Sequence, residues 1–157
     1  MTTTALDMTV PTDEPVIRTR RFVKAPPEVV FDAWTKPEHL RKWWGPRRLE
    51  MVVCEVDLQV GGSWRFVHRA PDGQEFAFYG VYREIDRPSR LVATWTWAGM
   101  PDDEAIQTLT LEAVDGGTMA HSEARHKTIA ERDQHIENGM EQGMIETYER
   151  LDEFLVG

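Results

Sequence analysis

The chain has 157 residues, 41% of them hydrophobic, enough for one core of ordinary size and too few for two comfortable domains. It carries 18 Lys and Arg against 27 Asp and Glu, and a net charge of −9 without a long basic run argues against a nucleic-acid binder. Its single cysteine, Cys54, rules out an internal disulfide, and no apolar run approaches the roughly 20 residues that span a membrane.

Residues 1–14 are rich in Thr, Asp, Glu and Pro and lack periodicity, so they read as a flexible N-terminal tail before one domain, 15–157. No secretion signal is visible in them, and the expected address is cytoplasmic. Val16 to Val23 alternates β-branched and charged residues, as a strand does. Pro26-Pro27 breaks it and opens a helix in which Val30, Phe31 and Trp34 recur at helical spacing. A second short helix is expected from Pro37 to Trp44, closed by Gly45-Pro46.

From Leu49 to His126 the period changes to two. Strands are predicted at 49–58, 63–69, 75–85, 91–97, 105–114 and 118–126, with turns at Gly61-Gly62, Asp72-Gly73, Arg87-Pro88 and Gly116-Gly117. The Asp72-Gly73 hairpin sets a register that pairs Phe66 with Phe78 and Trp64 with Gly80. Thr128 and Glu131 have the spacing of a capping box before the last helix. There Met140, Met144, Tyr148, Leu151 and Leu155 form an apolar stripe about four turns long. Gly139 and Gly143 within it predict either a break or close packing. The order of elements predicts an α+β fold, an antiparallel sheet of about six to seven strands with the helices gathered on one face.

Phe31-Asp32-Ala33-Trp34-Thr35, Trp43-Trp44-Gly45-Pro46, Gly61-Gly62 with Trp64-Arg65-Phe66, Gly80-Val81-Tyr82, and Gly139-Met140 with Gly143 occur in an order and spacing that resembles one bacterial family. That family is named for the activator of the heat-shock-protein-90 ATPase and belongs to the START-like, or Bet v 1-like, superfamily. The resemblance covers about Val16 to Leu155. It implies a helix-grip fold, a curved sheet around a long C-terminal helix, with a cavity between them. Relatives usually carry Trp where Met144 stands. Strand parity alone leaves two orientations for 118–126; the resemblance favours Ala120, Ser122 and Ala124 facing inward, the alternative being His121, Glu123 and Arg125.

The candidate cavity wall is Trp64, Phe66, Phe78, Tyr82, Trp95 and Trp97 from the sheet and Met140, Met144 and Tyr148 from the helix. Ala120, Ser122 and Ala124 leave volume unfilled. His68 shares the face of Trp64 and Phe66 and is the candidate for acid–base work, since its ordinary pKa suits proton transfer. No metal motif is present: His39, His68, His121, His126 and His135 lack ligand spacing, and His121 and His126 are expected to face opposite ways. No phosphate loop or nucleophile elbow appears, and no cofactor is expected. The expected function is to bind a small apolar, aromatic or lipid-like ligand in that cavity, with catalysis not expected. A cyclase or hydratase using the same cavity, and a co-chaperone contact, are the alternatives.

Overall fold

The computed structural model describes residues 5–156. The chain runs β1 (Asp7–Thr9), β2 (Val16–Val23), α1 (Pro27–Thr35), α2 (Pro37–Trp43), β3 (Glu50–Val56), β4 (Ser63–Arg69) and β5 (Glu75–Asp86). It continues β6 (Arg90–Trp97), β7 (Ala105–Val114), β8 (Gly117–Arg125), α3 (Ile129–Glu137) and α4 (Met140–Val156). The strands form one antiparallel sheet in the order β1-β2-β8-β7-β6-β5-β4-β3. From β3 to β8 the chain advances by hairpins, and only the β2–β8 pairing joins distant segments.

Two expectations need correction. The sheet has eight strands. The extra one, β1, lies in the stretch read as a tail, where Asp7, Met8 and Thr9 pair with Arg20, Thr19 and Arg18; residues 1–4 of that stretch lie outside the described residues. A three-residue strand is too short to show alternation, and it owes its order to its partner. The last helix is two. Gly139 has φ +86°, left-handed backbone that glycine adopts without strain, and it ends α3 before α4 begins. Gly143 breaks nothing: a Cβ there would meet no atom within 4 Å.

The local signals explain most of the rest. Proline stands in the first turn of α1 and of α2. Thr128 caps α3 by accepting from the Glu131 N–H at 3.1 Å. The Asp72-Gly73 hairpin gives the expected register, Phe66 opposite Phe78 and Trp64 opposite Gly80. Register shifts in β3, between Met51 and Val53, and in β5, between Tyr82 and Glu84, are the irregularities that bend and twist a sheet.

One core joins side chains from α1, α2, α4 and strands β2 to β8, with Phe31, Leu40, Trp43, Trp64, Phe66, Tyr148 and Leu151 among its largest members. A charged residue also faces inward. Arg21 shares a cross-strand position with Ala120, is 4% exposed, and reaches both carboxylate oxygens of Asp152 on α4 at 3.1 and 2.7 Å. Its guanidinium lies 5.3 Å from the Tyr148 ring centre. Arg150 donates to the carbonyls of Gly45 and Lys42 at 2.8 and 3.0 Å, fastening α4 to the end of α2. No described helix is long and apolar enough to cross a membrane.

Candidate ligand-binding site

The inner face of the sheet is set by strand parity. Ala120 lies opposite Leu111 and Ser122 opposite Leu109, both core residues, so Ala120, Ser122 and Ala124 face the helices. His121 and Glu123 face away and pair with Glu112 and Arg18 at 3.1 and 3.0 Å. On β4 the same rule turns Trp64, Phe66 and His68 inward.

Ring contacts then run without a gap from β4 to α3. Trp64 meets Phe66 at 4.8 Å, Phe66 meets Trp44 at 4.9 Å, and Trp44 meets Phe78 at 5.8 Å between ring centres. Phe78 meets Trp95 at 5.6 Å, and Trp95 stacks on His135 at 5.0 Å with the planes 17° apart. Tyr82 and Ala120 belong to the same core, and Met144 packs against it. Tyr148 belongs to that core too, away from this run of rings, 5.7 Å from Trp34 and beside Arg21. Trp97 lies at the rim beside Met100 and His135. Met140, half-buried at the start of α4, and Ala124, buried on β8, lie outside the joined core.

Trp44 links the wall together. Its neighbour Trp43 is fully buried and donates its indole N–H to the Ala33 carbonyl at 2.9 Å. That anchor places Trp44 over Phe66, His68 and Phe78. The doublet of tryptophans was the sequence signal for it.

His68 is 1% exposed and its Nε2 lies 3.1 Å from the Trp44 carbonyl oxygen. A carbonyl only accepts, so Nε2 carries the proton and Nδ1 is an acceptor. Burial, the main cause, holds the His68 pKa below its ordinary value, and the ring is neutral at pH 7. Among the described residues, Nδ1 is buried without a partner, as is the Tyr148 hydroxyl. Each such atom costs about 1–3 kcal/mol unless something bonds to it. His68 thus forms part of the wall, and the lone pair on its Nδ1 faces the interior and not solvent. Burial also raises the Tyr82 and Tyr148 phenols and pushes the Cys54 thiol up to about 11, which leaves the cysteine an inert core residue.

A second cluster was not read from the sequence. His126 Nδ1 lies 2.8 Å from Asp103 Oδ1, and His126 Nε2 lies 2.9 Å from His135 Nδ1. The three residues form a chain with His126 in the middle, buried at 3% exposure beside Asp103 at 8%. His135 lines a small cavity of about 20 Å³ with Trp95, Trp97, Met100, Asp103 and Asn138. Asp103 follows β6, His126 follows β8 and His135 lies on α3, so only the folded chain brings them together.

Burial, with a smaller contribution from His126, pushes His135 from an ordinary 6.5 down to about 4. The unfolded chain therefore accepts a proton that the folded chain refuses. The stability contributed by an uncharged His135 is complete above 6.5 and declines as pH falls toward about 4. Denaturant melts across that window should show a flatter pH dependence for His135→Phe than for the parent chain.

An open antiparallel sheet that grips a C-terminal helix over an aromatic interior defines a helix-grip protein. The chain belongs to the Activator of Hsp90 ATPase homolog 1-like protein family, whose model matches residues 24–156. Among solved structures it is similar to a Rhodobacter sphaeroides protein, 27% identical with a TM-score of 0.90, the match covering 97% of this chain and 99% of that one. A Nitrosomonas europaea protein is 28% identical, TM-score 0.83, with 93% and 96% covered. A Silicibacter pomeroyi protein named for the same family, 20% identical with a TM-score of 0.75 over 90% and 97%, shares the fold. A search of curated proteins found no match.

Proposed function

We propose that this protein binds a small, largely apolar ligand between the inner face of the sheet and α4. The observation that carries the reading is the state of Phe78, Trp95 and Met144. They pack against the core yet remain only partly buried, so an apolar face under the helix is left for something to cover. Met144 supplies a side chain that adapts to irregular shapes, and Ala120 and Ala124 keep the floor low. The His68 Nδ1 and Tyr148 hydroxyl, buried without a partner among the described residues, support a guest with a polar group.

The test is a panel of fatty acids and aromatic compounds, read as ligand-induced thermal stabilisation. A compound at 100 times its dissociation constant should stabilise the folded chain by about 2.7 kcal/mol. Met144→Trp, which puts a bulky ring on the helix face, should weaken uptake at least several-fold while the unliganded chain stays folded. No stabilisation by any compound, with Met144→Trp less stable than the parent, would mark a filled core and refute the reading. The co-chaperone alternative rests on the family name and is decided by the ATPase rate of the cognate chaperone with and without this protein.

A further inference from the structure

The Asp103–His126–His135 chain stands at the rim of the aromatic wall, and packing does not require its order of donors and acceptors. We propose that His135 accepts a proton from an acidic hydroxyl on a flat bound ligand, with His126 and Asp103 as positioning residues that take up the charge. This rests on the interior-binding reading, because the ligand's apolar body would lie along the wall that ends at Trp95 and Trp97.

The protons can be placed from the carboxylate outward. Ionised Asp103 only accepts, so His126 Nδ1 carries the proton in their 2.8 Å contact. With His126 neutral, its Nε2 must accept, and the proton in the 2.9 Å contact belongs to His135 Nδ1. His135 Nε2 is then left with a lone pair. The carboxylate fixes two imidazole tautomers in succession, and the outer one ends in a base.

The surroundings select the chemistry of the guest. The cavity that His135 lines holds about 20 Å³, room for one water-sized group such as a hydroxyl and too little for a ring. Trp95 and Trp97 flank it with aromatic surface, and Asn138 adds a neutral amide. Asp103 and His126 are the titratable groups acting on His135, and neither is a cation when His126 is neutral.

The step balances without a further reactant. The ligand O–H bond breaks and its proton joins His135 Nε2, while the electron pair stays on the oxygen. The His135 Nδ1 proton moves to His126 Nε2. His126 keeps its Nδ1 proton toward Asp103 and becomes an imidazolium against that carboxylate. His135 ends neutral, which suits a ring stacked on Trp95 and held at low pKa by burial. The positive charge rests on the ring held 2.8 Å from the Asp103 carboxylate.

Two measurements test this. Nitrogen NMR of the ligand-free protein with labelled histidine reads the tautomers: Nδ1–H with bare Nε2 is expected on both His126 and His135. A His135 protonated at Nε2 overturns the proposal whatever the protein binds. The second probe is para-nitrophenol, coloured only as its anion, titrated with pH in the presence of saturating protein. The bound phenol should ionise at least about one pH unit lower than the free one, an about tenfold gain for the anion. His135→Phe keeps a ring against Trp95 and should abolish the shift; Asp103→Asn should reduce it with the phenol still bound. A phenol that binds with an unshifted titration overturns the proposal and leaves interior binding standing. So does a protein that takes up fatty acids but no phenol, whereas a protein that takes up neither overturns both readings. If a variant does not fold, the tautomers of the parent chain decide.

Discussion

Gly80→Val is expected to lower the free energy of unfolding by about 3 kcal/mol, the upper end of the usual cost of overpacking. A Cβ at this position would lie 1.9 Å from the Thr94 carbonyl oxygen and 2.6 Å from Trp64 Nε1. The first obstacle is backbone in the neighbouring strand, which cannot turn aside as a side chain can. The second is tied to the first, since the Trp64 indole N–H donates to that same carbonyl at 3.2 Å. Relieving the clash means spreading β5 from β6 where Tyr79 pairs with Thr96 and Tyr82 with Ala93. Gly80→Ala should already show most of the loss, because the first carbon of the side chain causes it. Urea melts of both variants check the prediction; an unchanged midpoint for either would mean that Trp64 does not cross over Gly80.

Arg132→Met should be comparably severe, again about 3 kcal/mol, from the loss of several hydrogen bonds to a charged donor. Arg132 is 4% exposed, and its Nη1 donates to the carbonyls of Pro11, Glu14 and Val16 at 2.7, 2.9 and 3.3 Å. A single guanidinium nitrogen thus fastens the segment between β1 and β2 to α3. Methionine keeps much of the apolar stem but removes the donor from all three carbonyls, of which Glu14 keeps the Val16 N–H at 2.9 Å. The effect should be local as well as global. Hydrogen exchange at β1 should quicken more than at β4, since β1 has one neighbouring strand and this anchor. Equal exchange rates in parent and variant at β1 would refute the anchoring role.

These two cases mark what was legible in the chain. Gly80 could be read beforehand because the Asp72-Gly73 turn fixes which residues face each other, and the register follows by counting. The β-meander, the α1–α2 pair and the inward parity of β8 followed from similarly local rules, the last with help from the family resemblance. The anchor on Arg132 could not be read, since its partners lie more than a hundred residues away along the chain and are backbone carbonyls with no sequence signature. β1 was missed for a related reason: its order comes from β2. The break at Gly139 was one of two readings of the same glycine, and the left-handed backbone decides between them.

The candidate site divides in the same way. The aromatic wall was legible because tryptophan and phenylalanine repeat at strand spacing on one face. His68 shares that face and was the natural candidate for chemistry, yet its environment fixes one nitrogen on a carbonyl and buries the other. The Asp103–His126–His135 chain escaped notice because Asp103 and His126 lie in loops beside strands while His135 lies on α3. Spacing rules act within an element, and these residues come from two loops and a helix. Arg21 stands at an inward position of β2, on the same face as Ile17, Thr19 and Val23, and a charge at such a position is a signal that a partner must exist across the interior.

The two borders of the sheet have a consequence for how this protein meets others of its kind. One border, β1, is three residues long and is soon followed by Pro11, which has no N–H to offer a further strand. The other, β3, is interrupted by its bulge between Met51 and Val53 and carries exposed Glu50 and Glu55. Open sheets left with long, flat margins recruit neighbouring chains into fibrils, and short, kinked or charged margins are how soluble proteins avoid it. At high concentration, among the described residues, neither margin offers the flat run of unpaired backbone that starts such growth.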